Sequence, residues 1–322
     1  MIADYNHPSR TAEAVAMMDL TSDGRVEFGV GEGVTRLELQ GYGIPSSKKR
    51  DFSLEAAEQV ANMMTTAPYP EYEAESFSMP CRNVVPKPLQ KPHLPMWLAC
   101  TNRKTIEVAA RNGFGAVAFS FVAPEEAKSW ADTYYSIIKS EDCVPLGHMV
   151  HAHFAMVAGF SLHPNGEEAT RLGPEGFEFF GYPINALVAN DSVPGRTRLW
   201  EEYMELQGRN LPTIEAPGTG TPAQYSTMLR GMQDAGVDQV IFLQQDGRIS
   251  HEHICDSLEL FAGEVMPEFV EGRQERQPAK ATERAPFIEQ ALTRKLAMPE
   301  LADDEIPVVP ASQQREAFYH RD

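Results

Sequence analysis

Short runs of mostly apolar residues alternate along the chain with longer stretches in which apolar positions recur every three or four residues. VEFGV (26–30), PMWLA (95–99), GAVAF (115–119), HAHFAMVAGF (151–160) and DQVIFL (238–243) are rich in Val, Ile, Phe and Ala and predict strands. The intervening segments 8–20, 51–65, 102–113, 124–140, 222–236 and 251–269 carry helical periodicity. Strands so uniformly apolar are expected to be parallel and covered on both faces. Strand and helix in alternation predict parallel β/α units, closing as a doubly wound sheet or as an eight-stranded barrel. Two segments break the alternation: the Pro-rich stretch 68–95, and residues 163–217, which read as inserted helices and turns. Excursions of this kind usually cover an active site. From residue 271 the chain turns polar, which predicts a helix-containing, partly disordered extension over 271–322 beside a main body over 1–270.

Composition narrows the function classes. With 322 residues and 42% hydrophobic content the chain can bury a full core. Its formal net charge of -18 repels phosphate backbones and anionic lipid, and no basic patch offsets it, so neither nucleic acid nor a membrane surface is an expected partner. Cys81, Cys100, Cys143 and Cys255 lie far apart with no CxxC pair, which suits a reducing compartment and leaves no zinc framework. No leader or spanning segment is visible, and the expected address is the cytoplasm. A hydrolase elbow, a P-loop and an HExxH motif are all absent.

The most informative string is SDGRVEFGVGEG (22–33), a turn, a strand and a glycine-rich exit. Glycines at 29, 31 and 33 let backbone approach a ligand, or simply make a tight strand exit. A dinucleotide fingerprint fails here, because Val34 occupies the third glycine position and the next predicted helix begins near Asp51. Thr101, Asn102 and Thr105 stand at a helix start, where hydroxyls and free amides suit an anion or an ordinary cap.

The run HPSRTAEAVAMMDLTSDGRVEFGVGEG (7–33), followed in order by GYG (41–43), KPHLPMWLACTNRKTIEVAARNGFGAVAF (91–119), GTPAQYSTMLRGMQDAGVDQVIFLQQDG (220–247) and HEHICDSLELFAGEVMPEF (251–269), resembles the bacterial luciferase-like flavin-dependent monooxygenases. The resemblance implies an α/β fold, a TIM-type (β/α)8 barrel. The helix over residues 8–20 would follow its third strand, so the chain is expected to be incomplete, lacking about the first three strands and any catalytic residue on them. A misassigned start, completion by a partner and an inactive remnant are all compatible with that expectation.

The resemblance also implies a cofactor, reduced FMN or in some branches a deazaflavin, with its phosphate and ring held by Gly31, Glu32, Gly33, Val34 and Thr35 on one side and by Thr101, Asn102 and Thr105 on the other. Many members place Arg where this chain has Glu32, a carboxylate that would repel a phosphate. Either Glu32 turns away and amides bind, or the flavin is held differently or not at all. Arg103 and Lys104 are candidate replacements for the missing charge, or plain surface residues. Phe119 and Phe121 fall where the family sets an aromatic against the ring, although a Phe there can equally be core. His148, His151 and His153 alternate into a strand, and His151 is a candidate pocket residue with no acidic companions for a metal. Gln244 and Gln245 follow the last predicted strand on the catalytic face, where Gln245 is a candidate substrate-pocket residue with Phe121 and His151, or the pair is simply the polar edge of a strand. The implied activity is oxidation of a small organic substrate with molecular oxygen, supplied with reduced FMN by a flavin reductase, in an enzyme expected to be a homodimer. The alternatives are a noncatalytic or partner-completed subunit and a deazaflavin-dependent oxidoreductase.

Overall fold

The computed structural model describes residues 5–119, 122–191, 193–206, 218–244 and 249–310, without the side chains of 174–178. Five strands, β1 (Phe28–Val30), β2 (Met96–Cys100), β3 (Gly115–Ala118), β4 (Phe154–Gly159) and β5 (Gln239–Leu243), form one sheet in sequence order. Every neighbouring pair is parallel. All five lie within or beside the predicted runs, because short apolar segments flanked by turns have few other ways to bury themselves.

Register separates the sheet into two faces. Val30, Leu98, Ala116 and Phe154 align across the strands and are all buried beneath helices. On the other face Ala99, Val117, Ala155 and Gln239 align, and Ala99 and Gln239 are exposed. That face carries Gly29 beside Trp97 and Gly115, so close to Trp97 that a Cβ on Gly115 would meet the indole at 2.6 Å. β1 and β5 are the sheet's edges, and β5 has only partly covered residues, with Ile241 39% exposed.

The helices among the described residues are α1 (Pro8–Thr21), α2 (Arg36–Gly41), α3 (Lys49–Thr65), α4 (Arg103–Arg111), α5 (Pro124–Ile138), α6 (Gly166–Ala189), α7 (Leu199–Leu206), α8 (Pro222–Asp234), α9 (His251–Glu264), α10 (Met266–Val270) and α11 (Arg273–Thr293). The short α2 escaped the sequence pattern because six residues carry too little periodicity to register. The predicted helix over 251–269 divides at Val265, where Pro267 sits in the first turn of α10 and cannot donate a backbone hydrogen bond. The Pro-rich excursion holds one antiparallel pair, Tyr72–Glu73 with Ser78–Met79. It is fastened by the buried Asp19 of α1, whose carboxylate accepts from the Gln90 backbone N–H (2.9 Å) and Nε2 (2.8 Å), while that amide also donates to Val26 O at 2.7 Å. Burial alone would raise the Asp19 pKa, but these hydrogen bonds hold it below the usual carboxylate value.

Asp238, at the amino end of β5, is the second such fastening. Its buried carboxylate takes the Tyr135 hydroxyl from α5, the Phe154 N–H at 3.1 Å, Lys280 Nζ at 2.7 Å and the Arg284 guanidinium at 3.4 Å. Arg284 also donates to Ala152 O at 2.7 Å and stacks 4.2 Å over the Tyr135 ring. The polar segment after residue 271 thus contains a 21-residue helix docked on the body both by these charges and by Ile288, Ala291 and Leu292, which pack on the core. Among the described residues no helix is long and apolar enough to cross a membrane, and no group of His, Cys, Asp and Glu could hold a metal ion.

Burial pushes the Asp238 pKa up, yet its bonds to Lys280, Tyr135 and Arg284 bring it below the ordinary carboxylate value. A depressed folded-state pKa gives stability that is present above about pH 4 and lost as pH falls through the folded value. Asp238→Asn is expected to destabilise the protein by about 3 kcal/mol in urea denaturation at pH 7, because two cations lose their partner. It should also flatten the acid side of the stability curve, and an unchanged curve would refute the role given to Asp238.

Candidate functional site

Because β1 and β2 are parallel neighbours, the chain leaves both at the same end of the sheet. The segments after them, 31–35 and 101–105, are the two that the sequence assigned to cofactor binding. At Gly31 an added Cβ would touch only Ala99, at 3.9 Å, and at Gly29 nothing lies within 4 Å, so the backbone here is open to a flat ligand. Gly33 has φ of 76° and an added Cβ would lie 2.6 Å from the Tyr5 hydroxyl, so only glycine fits.

Glu32 is the residue whose charge looked wrong for a phosphate. Its carboxylate, 10% exposed, lies 2.6 Å from Arg50 Nε and 3.9 Å from Lys49 Nζ, with a second Arg50 contact at 3.3 Å. Lys49 also donates to Gly33 O at 2.8 Å. The carboxylate is therefore neutralised by the first turn of α3, and the bond to Glu32 raises the Arg50 pKa further. Arg50 escaped the sequence pattern because a contact across eighteen positions has no local signature. The basic run Lys48, Lys49 and Arg50 at the start of α3 was the available signal.

Val34 and Thr35 are occupied by the chain itself. Thr35 caps α2 by accepting the Glu38 N–H at 3.1 Å, and the Val34 N–H donates to the Glu38 carboxylate at 3.3 Å. On the other loop Asn102 caps α4, its Oδ1 accepting from the Thr105 N–H and hydroxyl, both at 3.1 Å. Thr105 is buried, whereas Thr101, Asn102, Arg103 and Lys104 are exposed at the helix start. Arg103 reaches the Thr133 hydroxyl at 2.8 Å. Between the loops the Cys100 thiol is buried and its pKa is pushed up by that burial, which makes it a poor nucleophile. Phe119, at the exit of β3, is partly exposed with its ring 6.1 Å from that of Phe180. Phe121 and Gln245 lie outside the described residues, while Gln244 directly follows β5.

His151 stands at the opposite, amino end of the sheet from these loops. Its ring meets Trp97 edge-on at 4.5 Å and stacks on His153 at 5.4 Å, and Trp97 in turn donates to Glu27 at 2.6 Å. The His151 Nε2 is buried with no hydrogen-bond partner. Burial brings the pKa of His151 and of the nearby His148 down to about 4, and lowers that of His153 as well. A histidine with a depressed folded pKa is fully compatible with folding above about pH 6.5 and opposes it increasingly as pH falls below that. Unfolding free energy should therefore drop between pH 6.5 and 4, and His151→Phe should recover roughly 1–3 kcal/mol of it at pH 5 with little change at pH 7. An acid slope identical to that of the parent would show that His151 is not buried as a neutral ring.

The model of the family "Luciferase-like monooxygenase" matches residues 2–239. The oxygenase component of the flavin-dependent trigonelline monooxygenase of Acinetobacter baylyi is 24% identical over 289 residues, covering 87% of this chain and 77% of that protein. Protein y4wF of Sinorhizobium fredii is 31% identical over 113 residues, a match spanning 35% of this chain and only 33% of that relative. Among solved structures, monooxygenase RslO1 of Streptomyces bottropensis superposes with a TM-score of 0.66 at 19% identity, covering 84% of this chain and 76% of that one. The coenzyme F420 dependent tetrahydromethanopterin reductase of Methanopyrus kandleri does so with a TM-score of 0.60 at 18% identity, covering 84% and 81%. These superpositions give the five-stranded sheet and its helices the fold of luciferase-like TIM-type barrels. The chain belongs to the luciferase-like monooxygenase family.

Proposed function

We propose that this protein is a flavin-dependent monooxygenase that takes reduced FMN and molecular oxygen to a small organic substrate. The observation that carries the proposal is the pairing of Glu32 with Arg50 and Lys49. With that carboxylate neutralised, the loop 31–33 offers backbone rather than repulsion, and it lies beside the exposed Thr101, Asn102, Arg103 and Lys104 at the positive end of α4. An FMN phosphate fits there, its ring over the small residues Gly29 and Ala99, whose face of the sheet is open. Gly31 and Gly33 would contribute amides, Thr101 a hydroxyl, and Arg103 or Lys104 a charge. Val34, Thr35 and Thr105, already bonded within the chain, would hold the loops in shape. When bound, reduced FMN supplies the activation of oxygen. The protein's part is to orient the substrate and exclude water.

In this reading β1 to β5 stand for strands four to eight of the barrel. The Acinetobacter relative is an oxygenase component, which supports a separate flavin reductase as the source of reduced FMN here. A homodimer in the cytoplasm remains the expected setting. A deazaflavin in place of FMN is supported by the Methanopyrus likeness in fold. The partly exposed outer edge of β5 supports a second reading, in which the active barrel is completed by a partner chain. Stoichiometric FMN binding by the chain alone would remove the need for that completion.

Anaerobic titration with reduced FMN, riboflavin and a deazaflavin tests the phosphate site. FMN should bind more tightly than riboflavin. Arg50→Ala, which releases the Glu32 charge, should weaken FMN about tenfold while leaving riboflavin unchanged, and Glu32→Gln added to it should restore FMN. Equal binding of FMN and riboflavin by all three proteins would place the phosphate elsewhere, and no binding of any flavin would favour a noncatalytic subunit.

A further inference from the structure

Away from both flavin loops, on the helix-facing side of β5, lies a cavity of about 860 Å3 between β5, α8 and α11. Its volume falls within the range of about 300–1,000 Å3 typical of small-molecule sites. Leu229 and Met232 of α8, Val240 and Phe242 of β5, Phe261 of α9 and Ile288 of α11 make its apolar wall.

The rim opposite that wall carries four cations, with the carboxylates of Asp234, Asp238 and Glu289 also in the lining. Arg273, Arg276, Lys280 and Arg284 line the cavity at spacings of three and four residues, which brings them onto one face of α11. Asp238 takes up Lys280 and Arg284. The other two are not neutralised. Arg276 donates only to main-chain carbonyls, Phe269 O at 2.8 Å and Glu271 O at 3.0 Å, and Arg273 is exposed without an ion-pair partner among the described residues. In a chain of net charge -18, two uncompensated guanidinium groups at the mouth of an apolar cavity are a local exception that favours an anion.

We propose that this cavity binds an amphiphile with a single oxyanion head, its apolar body against Phe242, Phe261 and Leu229 and its head on Arg273 and Arg276. Carboxylate and phosphate monoester heads share the required chemistry. The cavity runs along β5 from Asp238 to Phe242 on the face opposite Gly29 and Ala99, so its ligand would not displace a flavin held by the loops after β1 and β2. An occupant here would bridge α11 to β5, and through Asp238 it would bear on how firmly the C-terminal helix is held.

The test is calorimetric titration of the full chain with decanoate, decyl phosphate and decyltrimethylammonium, each below its micellar range. At least one of the two anions should bind saturably with one site per chain, and the one that does identifies the head group. The cation should bind at least about tenfold more weakly, and anion affinity should fall with added salt. Arg273→Glu with Arg276→Glu should weaken the anion about tenfold or more, and Leu229→Trp should block it by filling the cavity, both with FMN affinity unchanged. If the double substitution does not fold, Arg273→Gln and the salt dependence of the parent protein decide in its place. Equal binding of cation and anion, affinity indifferent to salt and to the arginines, or no saturable binding of either anion would overturn the proposal. So would self-association through this face, seen by sedimentation and lost on the arginine substitutions, which would make a second copy the occupant.

Discussion

The parallel pairing of Phe28–Val30 with Met96–Cys100 is the constraint on which the site depends. Sixty-five residues separate the two strands, and only their parallel alignment brings a glycine-rich exit and a helix start to the same end of the sheet. The pairing itself rests on burial: Phe28, Val30, Met96 and Leu98 all reach the core beneath the helices, and a one-residue slip would turn them onto the open face. Asp19 adds direction to this apolar contact. By holding Gln90 and, through it, Val26, it fixes how the chain enters both strands at once.

The ion pair around Glu32 shows how a residue that looks unsuited to its place is accommodated. A lone carboxylate beside an anion site would be unfavourable, and burying it without a partner more so. Arg50 and Lys49 come from the start of α3, a different element, so loop and helix are fixed to each other by the same contact that removes the repulsion. Thr35, Glu38, Asn102 and Thr105 do related work, spending their polar groups within the chain to hold two loops in one shape. The groups left outward are few, Thr101 and the cationic pair Arg103 and Lys104 among them.

The strands and the longer helices were legible in the sequence because period and apolarity carry over about ten residues, and the parallel order followed from their alternation. What escaped was either short or distant. α2 is too brief to show a period, and the Arg50 and Asp238 contacts join residues with no local pattern in common. The alternating histidines suggested a shared face, and His151 and His153 do stack, but the sequence carried no sign of which end of the sheet they occupy. The extension after residue 271 read as helix-containing and partly disordered. Within it residues 273–293 form α11, which Lys280 and Arg284 tie to Asp238, a partner that composition could not reveal.

Amide hydrogen exchange measured by mass spectrometry, with and without reduced FMN under anaerobic conditions, tests the central claim most directly. The account predicts added protection confined to residues 29–35 and 99–106, with α11 unchanged. Protection elsewhere on the sheet, or none at saturating FMN, would contradict it.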